Sequence, residues 1–146
     1  MRNKDEIRAA LKAGADVNAR DAEHDETAIV LAAKFGDAEI IQTLIDAGCE
    51  VDARDDQGRT ALFFAPVGSD IFSRLLAAGA DVKAKDRDGN TILIRKVSES
   101  ASLAEVEELL RLGIDSEVRN ESGESAMDVA ASLGLVKITE RLKSLR

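Results

Sequence analysis

The most chemically suggestive spacing in this sequence is residues 86–89 (DRDG), which look like the first positions of a calcium-binding loop. Such a loop also needs a third acidic ligand and a distal glutamate, and neither follows. We therefore predict a tight turn. His24 is the only histidine and Cys49 the only cysteine, so the sequence supports neither a zinc cluster nor a histidine–thiol pair. No glycine-rich phosphate loop is present, and we expect no catalytic residue, no metal and no cofactor.

Four basic residues occupy the same place in successive segments of the chain, and each is followed by an acid or an amide. They are Arg20, Arg54, Lys85 and Arg119. Against an acidic background such a row could orient an acidic partner strand. The alternative is that these cations are solvated and pair with neighbouring acids, since surface ion pairs contribute little. Arg95 and Lys96 would extend the row if they face the same surface.

The elements that would position these residues recur at a fixed spacing. Glycines that end apolar helical faces stand 31 to 34 residues apart, at Gly14, Gly48, Gly79 and Gly113. Hydroxyl residues suited to cap the following helix recur in step, at Thr27, Thr60, Thr91 and Ser125. This period indicates stacked supersecondary repeats. Cys49 aligns with Ala15, Ala80 and Ile114, so we predict a buried, small apolar residue there.

Two sequence segments inside the repeat are similar in all four copies. One set is AGADVNARD (13–21), AGCEVDARD (47–55), AGADVKAKD (78–86) and LGIDSEVRN (112–120), and the other is TAIVLAAKFG (27–36), TALFFAPVG (60–68), TILIRKV (91–97) and SAMDVAASLG (125–134). They closely resemble the TPLHxAA and GADVN segments of the ankyrin repeat, over nearly all 146 residues. The chain departs from the family where proline and then histidine are usual, with Ala28, Ala61, Ile92 and Ala126, and with Val30, Phe63, Ile94 and Asp128.

The resemblance implies an all-α ankyrin-repeat solenoid of stacked helix-turn-helix units with short β-hairpin fingers. We expect one domain over residues 1–146: an N-terminal half repeat (1–20), three repeats (21–54, 55–85 and 86–119) and a C-terminal capping repeat (120–146). Asn3 is predicted to cap the helix of the half repeat. Because that repeat lacks its first helix, its apolar side is exposed, covered by the N-terminal arm, or taken by another chain.

Individual repeats carry their own signals. Pro66 should end the first helix of the second repeat early, and Ser69 or Asp70 can cap the next helix. Lys96 stands where other repeats have a small residue, so its stem must snorkel toward solvent. In the last repeat the predicted inward residues are Val136, Ile138 and Leu142.

Bulk composition narrows the class of partner. The net charge of −8 argues against nucleic acid, whose binding depends on a cationic face. No apolar run is long enough for a signal peptide or a membrane span, so we predict a cytoplasmic protein. Aromatic residues make up 3% of the chain, and the core must therefore consist of Ala, Leu, Ile and Val at helix contacts.

The resemblance also implies a function: ankyrin repeats contact protein partners through the hairpin fingers and the exposed side of the first helices, which form a concave groove. The finger residues transferred by position are Glu23, His24, Glu26, Asp56, Gln57, Arg59, Arg87, Asp88, Asn90, Glu121, Ser122 and Glu124. On the first helices, Lys34, Phe35 and Leu133 are among the equivalent positions. Phe35 is the favoured anchor, the alternative being that it packs against a neighbouring finger.

We therefore predict a protein–protein interaction module, not an enzyme. The partner-binding residues are predicted to be Lys34, Phe35, Arg54, Arg59, Lys85, Arg87, Asn90, Arg119, Glu124 and Leu133. The alternative is an inhibitor or immunity-type protein whose acidic surface blocks a basic enzyme or toxin. We expect a monomer, with weak dimerisation through the uncovered N-terminal helix as a third hypothesis.

Overall fold

A computed structural model describes residues 2–145, with side chains from Asp5 onward. Within that range the chain forms nine α-helices and isolated β-bridges in place of extended strands. The helices are α1 (Arg2–Lys12), α2 (Ala28–Phe35), α3 (Ala38–Asp46), α4 (Ala61–Phe64), α5 (Asp70–Ala77), α6 (Ile92–Ser98), α7 (Leu103–Arg111), α8 (Ala126–Ser132) and α9 (Val136–Lys143). The predicted all-α repeat fold is confirmed. The fingers are minimal hairpins, each closed by a single bridge or backbone hydrogen bond.

The helices group into two compact units, Met1–Asp81 and Val82–Arg146. In the first unit α2 packs on α3 and α4, while α3 packs on α1 and α5. The side chains between them are apolar and fully buried, among them Ile29, Ile41, Leu62 and Phe72. Asp37 is the N-cap of α3 and Ser69 is the N-cap of α5, and the side chain of each accepts backbone N–H from the first turn of its helix.

Helix α4 is a single turn, as predicted from Pro66. It ends at Phe64, and Ala65 already has an extended backbone with φ −66° and ψ 131°. The residue before a proline is pushed out of the helical region by the proline ring, so the helix cannot continue. Ser69, rather than Asp70, then caps α5 by accepting from the Phe72 N–H at 3.2 Å.

In the second unit α6 packs on α7 and α8, and α9 packs on α7 and α8. Leu93, Val97 and Leu109 are fully buried at these contacts. Ser102 with Glu105, and Ser125 with Asp128, form reciprocal capping boxes at the starts of α7 and α8. Helices α7 and α8 therefore have their first backbone N–H groups satisfied by side chains, whereas α9 begins after Leu135 without a side-chain cap.

Lys96 behaves differently from the prediction. Its side chain is 11% exposed, and Nζ lies 3.6 Å from a carboxylate oxygen of Glu99 one turn later on the chain. The stem is therefore covered by protein, and the charge is compensated locally rather than presented to solvent. Val136 was also predicted wrongly to face inward, because it is 63% exposed, whereas Ile138 and Leu142 are buried.

The four hydroxyl positions all precede a helix, but they do not all cap it. The hydroxyls of Thr91 and Ser125 accept the N–H of the third helical residue at 3.3 Å. Those of Thr27 and Thr60 are buried and make no hydrogen bond within the described part of the chain. Asn3 was also assigned wrongly, because α1 begins at Arg2 and Asn3 lies inside it.

Candidate functional site

Every finger is closed by the side chain of its first residue. In the first unit, Asp21 Oδ1 accepts backbone N–H groups two and three residues further on (3.1 and 2.7 Å). Asp55 Oδ1 accepts those two and four residues further on (2.9 and 2.8 Å). In the second unit Asp86 and Asn120 repeat the two-and-four pattern. Such side-chain oxygens accept the backbone N–H groups of a short turn for which the backbone itself provides no acceptor.

This arrangement confirms the turn predicted at residues 86–89. Gly89 supplies the positive φ of 75°, and Asp25 takes the same left-handed conformation (φ 55°) where the first finger has no glycine. Burial would raise the pKa of Asp86, but hydrogen bonds from Arg95 and Asn90 outweigh it and hold that pKa below its usual value. The carboxylate is thus a charged, structural part of the turn.

Neighbouring fingers are also bonded to each other within each unit. The Asp56 N–H donates to the His24 carbonyl at 3.0 Å in the first unit, and the Glu121 N–H donates to the Asp88 carbonyl at 2.8 Å in the second. A Cβ at Gly89 would lie 3.1 Å from the Glu121 nitrogen. The fingers of each unit are therefore a preformed surface, which lowers the ordering cost of binding.

The basic row is engaged locally. Arg20 donates to the Asp25 carboxylate at 3.1 Å and to the Arg54 carbonyl at 2.6 Å. Arg119 donates to the Asp128 carboxylate at 2.9 Å. These contacts favour the interpretation in which the cations pair with neighbouring acids. The neighbouring cations are engaged in the same way, Arg95 with Asp86 and Lys96 with Glu99.

Phe35 is the most exposed large apolar side chain among the described residues, at 83%. It therefore does not pack against a neighbouring finger. The ring stands at the end of α2, beside a pocket of about 340 Å³ that Ile7, Leu31 and Ile40 also line. Described residues of α1, α2 and α3 line this pocket, and the Phe35 ring is exposed beside it.

A second aromatic residue, Phe64, lies at the centre of a charged cluster in the same unit. Lys34 Nζ and the Arg59 guanidinium carbon each lie 4.8 Å from the centre of its ring. Lys34 forms an ion pair with Glu26, and Arg59 forms one with Asp55 at 2.8 Å. Both distances from the ring are within the range of cation–π attraction.

In the second unit the predicted contact residues differ in exposure and in whether their side chains are already hydrogen-bonded. Arg87, Glu124 and Lys85 are exposed on the fingers, and Leu133 is 49% exposed at the end of α8. Asn90 is half-buried and its amide is occupied, donating to Asp86 at 3.1 Å and accepting from Asn120 at 2.9 Å. Its role as a partner contact stays a prediction.

The comparisons with known proteins match this architecture. A family profile described as ankyrin repeats (three copies) matches residues 1–86, more than half of the chain. This chain belongs to the ankyrin-repeat family. It is 36% identical over 72 residues to the mouse protein "Ankyrin repeat and SOCS box protein 6". That stretch is 48% of this chain but 17% of the mouse protein, so the match covers a minor part of that relative.

Ankyrin repeats are generally protein-interaction modules. Among the described residues, no group of three or more histidine, cysteine or acidic side chains could hold a metal ion. Nor does any helix in that range have the length and apolar character needed to cross a lipid bilayer.

Transferring contact residues by their position in the ankyrin repeat assigned some of them wrongly and missed others. Glu26 was transferred as a finger contact, but its side chain is 2% exposed, because it turns inward to meet Lys34. Phe64 was not selected. In the aligned repeats it lies between the positions of the basic residues Arg59 and Lys34, and this pattern could have indicated a cation–π cluster. Cys49 is half-buried rather than buried, and burial raises the pKa of its thiol to about 11.

Proposed function

We propose that this ankyrin-repeat protein binds another protein through the first helices and fingers, and that it is a binding module rather than an enzyme. The observation that carries the proposal is Phe35, whose ring is 83% exposed beside an apolar pocket. Exposed aromatic side chains at the centre of a rigid surface are the usual anchors of protein interfaces. Lys34 precedes the anchor on α2, and Arg54 and Arg59 lie on the second finger.

The test is affinity capture from source-cell lysate with the wild-type chain and with the double variant Phe35→Ala, Arg54→Glu. We expect the double variant to lose the captured protein while keeping its helical circular dichroism. The matched control is Val136→Ala, which also truncates an exposed apolar side chain (63%) but lies on α9. Equal capture by the wild type and the double variant would show that the assigned surface is wrong.

The inhibitor or immunity-type function is the second candidate, and the net charge of −8 supports it. Exposed acids at the finger tips, Glu23 in the first unit and Asp88 and Glu121 in the second, would steer a basic target toward the fingers. Capture of a basic enzyme that weakens at high salt, together with loss of that enzyme's activity, would support this function. Capture that salt leaves unchanged would count against it.

The dimer hypothesis concerns the pocket beside α1. Ile7 is half-buried in the described structure, and a second copy could cover it together with Phe35. We propose that the protein is nonetheless a monomer. Sedimentation at micromolar concentration tests this, and a concentration-dependent shift that Phe35→Ala abolishes would instead support the dimer.

A further inference from the structure

We infer that the cluster formed by Phe64, Lys34 and Arg59 is a docking point for an acidic side chain of the partner. The inference deepens the proposed function and rests on it, because it names the chemistry of one contact on the same surface. It also runs against the overall charge of the chain. A protein of net charge −8 would otherwise be expected to prefer basic groups everywhere.

The first step is the depth at which each charged group lies below the protein surface. The Glu26 and Asp55 side chains are 2% and 0% exposed, whereas their partners Lys34 and Arg59 are 29% and 26% exposed. The anions therefore lie beneath the surface, and the cations form its outer layer. An incoming group approaches the positive side of each ion pair, and in the low dielectric of an interface this difference in distance matters.

The second step is the support of the two cations. Both lie 4.8 Å from the centre of the Phe64 ring, which attracts them to its face. The Arg59 guanidinium is held further by Asp55, whose Oδ2 accepts from Nε at 2.9 Å. A cation that is already ordered loses little rotational freedom when it binds an anion, so the contact is stronger than one with a mobile surface lysine.

The third step is the balance of charge around the cluster. Arg54 donates to the Gly58 carbonyl beside Arg59, and Arg20 donates to the Arg54 carbonyl. Within the cluster the charges are paired one to one, Lys34 with Glu26 and Arg59 with Asp55, and in each pair the cation is the more exposed member. The exposed acids Glu23 and Asp56 flank His24 at the finger tips, at 3.8 and 4.0 Å. An acidic group is therefore favoured at the cluster and disfavoured at the tips.

The probe is a blocked hexaglutamate peptide, with hexaglutamine as its uncharged match, titrated into the full chain and followed by NMR. We expect saturable shifts of the Arg59 Nε–H signal and the Phe64 ring protons with the glutamate peptide alone. The double variant Asp55→Asn, Arg59→Gln removes the cation without leaving a buried carboxylate unpaired. It should weaken binding about tenfold or more.

The matched control is Arg111→Gln, because Arg111 is 70% exposed and also pairs with an acid, Glu108, at 3.0 Å. It should change peptide affinity by about twofold or less. Equal shifts with both peptides, or a double variant that binds like the wild type while its melting temperature shows it folded, would overturn the inference. Loss of protein capture by the Phe35 variant combined with no peptide site at Arg59 would leave the proposed function standing and this inference refuted. Peptide binding without any captured protein would refute the proposed function instead.

Discussion

Asp55 offers the sharpest test of how the fingers are held. Its side chain is fully buried, accepts two backbone N–H groups at 2.9 and 2.8 Å, and pairs with Arg59. Replacing it with alanine leaves two part-buried backbone donors and a part-buried cation without their acceptor. Hydrogen bonds to a charged group contribute about 1.5–3 kcal/mol each, and breaking a buried ion pair costs about 3–5 kcal/mol.

These contributions are not additive, and Arg59 remains 26% exposed, so part of its charge can be hydrated after the substitution. We therefore expect Asp55→Ala to lower the free energy of unfolding by about 3 kcal/mol. Asp55→Asn should cost only about 1 kcal/mol, because an amide oxygen can still close the turn. Asn120 already does so in the last finger, accepting backbone N–H groups at 3.1 and 2.9 Å.

The assay is urea denaturation followed by circular dichroism at 222 nm, since the chain has no tryptophan or tyrosine to report by fluorescence. Asp56→Ala is the control: this neighbouring tip acid has a 41% exposed side chain and should change stability by about 0.5 kcal/mol or less. If Asp55→Asn were as damaging as Asp55→Ala, the charge rather than the acceptor would hold the finger. A loss below about 1 kcal/mol for Asp55→Ala would refute both explanations.

Three further predictions follow from other described features. Because burial raises the pKa of Cys49 to about 11, its reaction with iodoacetamide at about pH 8 should be roughly 100-fold slower than that of a free cysteine, and urea should remove the difference. An equal rate in the folded protein would contradict this. The lowered pKa of Asp86 means that its stabilising contribution is full above its unfolded pKa of about 3.9 and is lost as the pH falls through the folded value. The difference in urea midpoint between wild type and Asp86→Asn should therefore shrink below about pH 4, and a constant difference would exclude this linkage. Ser100 has a φ of 64°, so Ser100→Gly should raise the free energy of unfolding by about 0.5–1 kcal/mol, and a decrease would show that the serine side chain matters there.

The features predicted correctly from the sequence are those in which a residue restricts the backbone conformation within its own repeat. The glycines at positions 14, 48, 79 and 113 all adopt positive φ, and Pro66 ends α4 where its ring requires. Such effects depend on the residue itself and its immediate neighbours. The fold class and the turn at residues 86–89 could therefore be predicted without knowing any tertiary contact.

The site was harder, because it depends on which side chain reaches which partner. Glu26 and Lys34 are eight residues apart, and only the packing of the finger on α2 brings them together. Thr27 and Thr91 align in the repeat, yet only the Thr91 hydroxyl accepts a backbone N–H of its helix. Lys96 was expected at the surface and instead finds Glu99 one turn away. These outcomes depend on which side chains the packing brings within hydrogen-bond distance, which spacing in a sequence does not specify.

The closing of each finger by its own first residue separates two tasks along the chain. Asp21, Asp55, Asp86 and Asn120 fix the backbone, and the side chains of exposed tip residues such as Glu23, Arg87 and Ser122 take no part in those hydrogen bonds. Mutations at these exposed tip positions can therefore accumulate without unfolding the protein. A lineage carrying this scaffold could change its binding target by altering those few positions, and an engineer could randomise the same positions while leaving the four closing residues untouched.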